Sequence, residues 1–220
     1  MVQCSNGGRR IERDIDGVVT GIVSRFESRR FNSPNDVVVA ADGAIWFTDP
    51  PYGLGRGNDG LAEYEGCFVF RYDEDRQELR AVVTDMAHPN GLALSPDESL
   101  LYVADTGSDR GPDHHDAIRV YDVVDGAATN GRMLTDPGHA DGFRIDLEGR
   151  IWTSTRDALA VLSPDGAELL RIGLPDMVTN VAFGGDGHDL YVTTASSLYR
   201  VRTATSAAPR PASPPSRRPA

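Results

Sequence analysis

The feature that most constrains this chain is that it repeats itself. Four segments align almost without adjustment: Asn35-Asp36-Val37 running to Trp46-Phe47-Thr48-Asp49, Asn90-Gly91-Leu92 to Tyr102-Val103-Ala104-Asp105, Asp141-Gly142-Phe143 to Trp152-Thr153-Ser154, and Asn180-Val181-Ala182 to Tyr191-Val192-Thr193. The leading Asn or Asp precedes the aromatic by 11, 12, 11 and 11 residues, and successive leaders stand 55, 51 and 39 residues apart. A repeat of this period signifies stacked units, none of which can bury its apolar face alone.

Each unit opens with a short alternating strand (Val37, Val39; Leu92, Leu94; Phe143, Ile145), turns at an Asp-rich or Gly-containing pair, and continues into a second strand centred on Trp or Tyr. That pattern predicts a β-hairpin. A further strand pair follows: residues 67–72 with 80–83, residues 118–121 across Asp125-Gly126, and residues 159–162 across Asp165-Gly166 to 169–172. Four strands per unit, with no 3.6-residue period, predict an all-β fold made of β-propeller blades. A β-sandwich is the other architecture with such strands, but it has no reason to repeat its turn chemistry in a fixed register.

The two ends predict partial blades. Residues 1–30 supply an outer strand pair, 10–13 and 18–23 around Asp16-Gly17, with no inner hairpin before it, and the last unit has its hairpin and one more strand at 198–201. The expectation is therefore an incomplete ring of about three full and two partial blades over residues 1–202. Residues 203–220, with five Pro, five Ala, three Arg and no large apolar side chain, are expected to form a disordered tail.

Composition narrows the partners. With 33 acidic and 22 basic residues in 220, every basic one an Arg, the formal charge is −11, which argues against nucleic acid or an anionic membrane as partner. No run approaches a membrane span and the first ten residues carry no apolar signal segment, so a soluble cytoplasmic protein is expected. Cys4 and Cys67 lack metal-ligand spacing and read as two inert thiols in a reducing compartment.

In a propeller the inner strands begin at the central channel, so Asn35, Asn90, Asp141 and Asn180 should converge on one axis. All four offer a carbonyl or carboxylate oxygen, a donor set suited to Ca²⁺ or Mg²⁺, with Mn²⁺ and Zn²⁺ as alternatives. The competing reading makes them ordinary turn residues, since Asn and Asp side chains cap nearby backbone. A second cluster, Asp113-His114-His115-Asp116, reads as a solvated polar loop, because adjacent His side chains point apart on an extended chain. No G-x-S-x-G elbow, H-E-x-x-H or phosphate-binding glycine loop is present. Trp46, Tyr102, Trp152 and Tyr191 recur at one position and read as core between blades.

These residues carry a resemblance. The segments Phe31-Asn32-Ser33-Pro34-Asn35-Asp36, Trp46-Phe47-Thr48-Asp49-Pro50-Pro51-Tyr52-Gly53, His88-Pro89-Asn90-Gly91-Leu92, Asp141-Gly142-Phe143-Arg144-Ile145-Asp146 and Thr179-Asn180-Val181-Ala182-Phe183 resemble the SMP-30/gluconolactonase/LRE family over about residues 2–202. The resemblance implies a six-bladed propeller that binds a divalent metal, Ca²⁺ first, and hydrolyses sugar lactones to aldonic acids. It implies Asn35, Asn90 and Asp141 as metal ligands, Asp141 as candidate general base, and Asp36, Tyr52, His88 and Asn180 as lining the substrate pocket. The family's first-blade Glu ligand has no counterpart here, which implies a member lacking its first blade, weaker metal binding and self-association through exposed blade edges. A catalytically impaired propeller or a binding scaffold is the alternative function.

Overall fold

The computed structural model describes residues 1–54, 62–111 and 114–208. It contains five antiparallel sheets, each a simple up-and-down meander in chain order. Sheet one is Val2–Ser5, Arg10–Ile15 and Val18–Val23; sheet two is Val37–Val39, Ile45–Asp49, Cys67–Asp73 and Glu78–Met86; sheet three is Pro89–Leu94, Leu100–Thr106, Asp116–Val124 and Ala127–Thr135. Sheet four is Phe143–Ile145, Ile151–Ser154, Ala158–Leu162 and Glu168–Gly173, and sheet five is Val178–Gly184, Asp189–Thr194 and Leu198–Arg202. A two-stranded ribbon, Arg25–Phe26 with Arg29–Arg30, joins the first two sheets. Together the sheets form a β-propeller. Among the described residues no helix is long and apolar enough to cross a membrane.

Three sheets have four strands and two have three, so the predicted blade count is met, but sheet one corrects the expectation of a lone outer pair. Val2–Ser5 pairs with Arg10–Arg13 as a third strand. Its sequence, Val-Gln-Cys-Ser, alternates apolar and polar, with Val2 and Cys4 packed on the core, but over only four residues.

The aromatic of each repeat does what its position predicts in three of four cases. Trp46 packs with Leu92, Val103 and Tyr121 between sheets two and three; Tyr102 packs with Phe143, Ile145 and Ile151 between three and four; Trp152 packs with Val181, Leu190 and Val192 between four and five. The alternate face of the same strand serves the preceding sheet, where Ile45 and Phe47 meet Ile11 and Phe31. Tyr191 is only half-buried and stands outside these clusters, because sheet five packs on sheet four through Leu190 and Val192, on its other face.

Asp16-Gly17 and Asp125-Gly126 adopt φ of 52° and 84°, and 51° and 73°, as a hairpin turn twisting with its strands requires. The expected disordered tail begins too early. The Thr203 N–H donates to the His188 carbonyl, Leu147 N–H to Ser206 O, and Ala207 N–H to Gly187 O, all at 2.9–3.0 Å, while Asp146 and Ala207 form a β-bridge. Residues 209–220 of that expectation lie outside the described residues.

Candidate active site

The four inner strands begin side by side, and their contacts decide between the two readings of the leading residues. Asn90 and Gly91 lie inside the strand Pro89–Leu94, and neither Gly91 nor Gly142 has a positive φ, so the turn reading fails there. These glycines answer a different need. A Cβ on Gly91 would overlap the Asp141 carbonyl oxygen, and one on Gly142 would overlap the Asn180 side-chain amide. Close approach is confirmed by Gly91 N–H donating to Asp141 O and Gly142 N–H to Thr179 O, both at 2.9 Å. Crowding at the axis, where the inner strands meet, demands residues without a side chain.

This crowding gathers three predicted residues into one cluster. Asn35 Nδ2 donates to Asn90 Oδ1 at 2.5 Å, and the Asn90 side chain lies close enough to the Asp141 carboxylate to favour its charged form. Asn90 is buried and its backbone is fixed, its carbonyl accepting from Thr48 Oγ1 at 2.7 Å. Asn35 N–H donates to Thr48 O at 2.9 Å, so one residue of sheet two holds both amides. The Asp141 backbone N–H is held by Ser154 Oγ at 2.9 Å. Burial pushes the Asp141 carboxyl up to about 6; His139 opposes this while Asp36 and Asp109 add to it.

Tyr52 covers the cluster from sheet two's long loop. Its hydroxyl pairs with Thr106 Oγ1, reaches Asn90 Nδ2 and Asp109 Oδ2 at 3.5 Å, and is raised well above the ordinary phenol range by burial. His88 packs edge-on against the Tyr52 ring, centroids 5.6 Å apart. Asn180 sits over Gly142 beside the cluster, with its Oδ1 taken by the Val181 N–H at 2.8 Å. Asp36 is engaged differently from a pocket-lining group. It accepts from Val37 N–H at 2.9 Å, Leu92 N–H at 3.2 Å and Arg144 Nη1 at 3.4 Å, tying sheets two, three and four together.

Several participants escaped the sequence reading. Asp109 comes from the 3-10 turn Gly107–Arg110, and Thr106 from the strand end before it. Arg144 meets Asp36 across 108 residues of sequence, a separation no local pattern reveals. Asp116, placed in the His-rich loop, instead pairs with His139 at 3.1 Å; Asp113 lies outside the described residues. The repeat register itself could have flagged Asp49 and Asp105, each three residues after the aromatic of its second strand in sheets two and three.

The donor chemistry fits a hard cation. Two side-chain amides and one carboxylate converge in a partly buried cluster, and among the described residues no salt bridge reaches Asp141. Rotating the Asn35 amide by half a turn presents Oδ1 in place of Nδ2, an exchange that costs little geometry. Among the described residues no three His, Cys, Asp or Glu side chains gather into an alternative set.

The fold and site define a β-propeller whose inner strand ends build an oxygen-rich polar cluster on the axis. The profile described as "SMP-30/Gluconolactonase/LRE-like region" matches residues 1–196, and the chain belongs to that family. A gluconolactonase from Zymomonas mobilis is 34% identical over 218 residues, covering 91% of this chain and 60% of the relative. The pentonolactonase XacC from Haloferax volcanii is 31% identical over 199 residues, covering 84% of this chain and 60% of the relative. A gluconolactonase structure from Xanthomonas campestris superposes with a TM-score of 0.84 at 36% identity, covering 91% of this chain and 67% of that one. The chain thus spans about 60% of the length of these two sequence relatives.

Proposed function

We propose that this chain hydrolyses sugar lactones to aldonic acids at the Asn35–Asn90–Asp141 cluster. Its similarity to gluconolactonases and a pentonolactonase supports the reaction class. The observation that carries the site is the convergence of two amides and a partly buried carboxylate from three successive blades.

Asn35, Asn90 and Asp141 would hold a divalent cation, Ca²⁺ by preference for an all-oxygen set. Bound there, such a cation supplies Lewis-acid polarisation of the lactone carbonyl and acidifies water. The chain's own groups do the rest. Asp141 is the carboxylate placed to take a proton from water. The Tyr52 hydroxyl, held neutral by burial, offers a hydrogen bond to substrate oxygens beside Asn90. Asp36 is committed to backbone and Arg144, so its role is to lock the inner strands rather than to touch substrate.

Gluconolactone hydrolysis by the purified chain, measured by acid release, tests the reading. Activity abolished by chelator and restored by Ca²⁺ is expected. Activity indifferent to chelator would remove the cation from the site, and no hydrolysis of any aldonolactone would leave a binding scaffold as the better description.

A further inference from the structure

Three residues after the repeat aromatic, near the end of the second strand, stand Asp49 in sheet two and Asp105 in sheet three, and both carboxylates do the same thing. Asp49 accepts the backbone N–H groups of Asn32 and Ser33 at 2.7 and 2.8 Å. Asp105 accepts those of Ala87 and His88 at 3.0 and 2.7 Å. In each case the gripped pair stands three and two residues ahead of the site amide, Asn35 or Asn90, with a proline, Pro34 or Pro89, between. The proline fixes its own φ and restricts the residue before it. A carboxylate gripping two successive amides, followed by proline, leaves the next side chain few directions to point.

The arrangement is costly as mere structure. Asp49 has no exposed surface and is further bonded by the Tyr64 hydroxyl, and burying a carboxylate is unfavourable unless every lone pair is used. Sheets four and five do without it. At the same position they carry Thr155 and Thr194, whose hydroxyls donate to Ala158 O and Ser197 O in the hairpin that follows, and no proline precedes Asp141 or Asn180.

We propose that Asp49 and Asp105 are positioning residues that aim the Asn35 and Asn90 side chains at each other and so assemble the two-amide face of the site. The inference rests on the reading of that cluster as a cation and lactone site. Groups that orient metal ligands typically alter affinity 10- to 100-fold when removed.

The test uses Asp49→Asn and Asp105→Asn in the full chain, with Thr155→Val and Thr194→Val as comparators and Asn90→Ala as control. Ca²⁺ affinity is measured by calorimetry where circular dichroism shows every variant folded, alongside amide hydrogen exchange. Each Asp→Asn change is expected to weaken Ca²⁺ binding about 10-fold and to speed exchange only in its own gripped pair. The comparators are expected to match wild type. Faster exchange with Ca²⁺ affinity within twofold of wild type would overturn the proposal, leaving the carboxylates a stability role only.

If wild type binds no Ca²⁺ and matches Asn90→Ala, the cation reading fails. The side-chain amide resonances of Asn35 and Asn90 then decide: displaced in the Asp→Asn variants, they support the positioning role, and unmoved they overturn it. Should Asp49→Asn not fold, Pro34→Ala and Pro89→Ala loosen the same segments without touching a buried charge. These should weaken Ca²⁺ about 2- to 3-fold, and unchanged affinity with unchanged amide resonances would overturn the proposal.

Discussion

Sheets two and three are cut from the same repeat as sheets four and five, yet the two pairs meet the axis in different ways. In the first pair the segment after the second strand is long, residues 50–66 and 107–115, and it delivers Tyr52 and Asp109 towards the site and Tyr64 to Asp49. In the second pair it shrinks to residues 155–157 and 195–197, closed by a threonine hydroxyl. One side of the cluster is therefore walled and the other is low. Asp141 belongs to the low side, and its lead-in takes left-handed backbone at Gly138 and His139, φ 89° and 61°, where the walled side uses proline and a gripping carboxylate. The lesson is that one blade architecture separates two tasks: rigid presentation of the neutral amides, and exposure of the charged group to an incoming substrate.

The largest expected effect falls on the low side. Asp141→Asn should lower gluconolactone turnover by about 10²- to 10⁴-fold, the range for losing a positioned proton acceptor, with the fold retained. A loss under tenfold would mean that the low side carries no essential chemistry and would erase the contrast.

Next comes the seam between the two pairs. Gly91→Ala should cost about 3 kcal/mol or more in urea unfolding, since its Cβ strikes the Asp141 backbone, which a rigid axis cannot move. Gly173→Ala, with nothing within 4 Å of the new Cβ and ordinary φ, should fall within about 1 kcal/mol of wild type. Equal effects at both would show that the axis is soft.

The buried carboxylate of the walled side should leave a pH signature. Burial pushes Asp49 up to about 6, with the Tyr64 hydroxyl and the Asn32 and Ser33 amides pulling the other way. The native state therefore holds this proton more tightly than the unfolded chain. Its contribution is fully present below about pH 4 and is lost as pH rises through about 6, a change of about 3 kcal/mol. Subtracting the stability curve of Asp49→Asn from that of wild type should reveal this fall between pH 4 and 6. A flat difference would remove the strain assigned to that carboxylate. Smallest of all, Thr155→Val and Thr194→Val should each cost about 1 kcal/mol or less, the worth of one hydroxyl hydrogen bond.

What could be read in advance follows from how local each signal is. The alternating strands, the Asp16-Gly17 and Asp125-Gly126 turns and the inter-sheet burial of Trp46, Tyr102 and Trp152 are short-range or repeated, so one copy vouches for the next. The strand Val2–Ser5 was silent because four residues with only two apolar positions are too short a pattern to stand out without a partner's register. Asn35, Asn90 and Asp141 could be named as neighbours because a repeat that stacks radially must bring equivalent positions together. Asp36, expected to line the substrate pocket, is instead spent on Leu92 N–H and Arg144, because its side chain leaves the chain on the face opposite to that of its neighbour.

The amino-acid sequence by itself determined the all-β architecture, the repeat, the blade count and the four leading residues that approach the axis, since each depends on periodicity and on chemistry carried within a few residues. Only the tertiary structure decided which leaders touch, that Gly91 and Gly142 serve close approach rather than turning, that Asp49 and Asp105 grip the segments ahead of Asn35 and Asn90, and that Arg144 answers Asp36. The reason is geometric: a strand's period fixes which face a side chain leaves by, whereas its partner is chosen by the angle and distance at which the next sheet arrives.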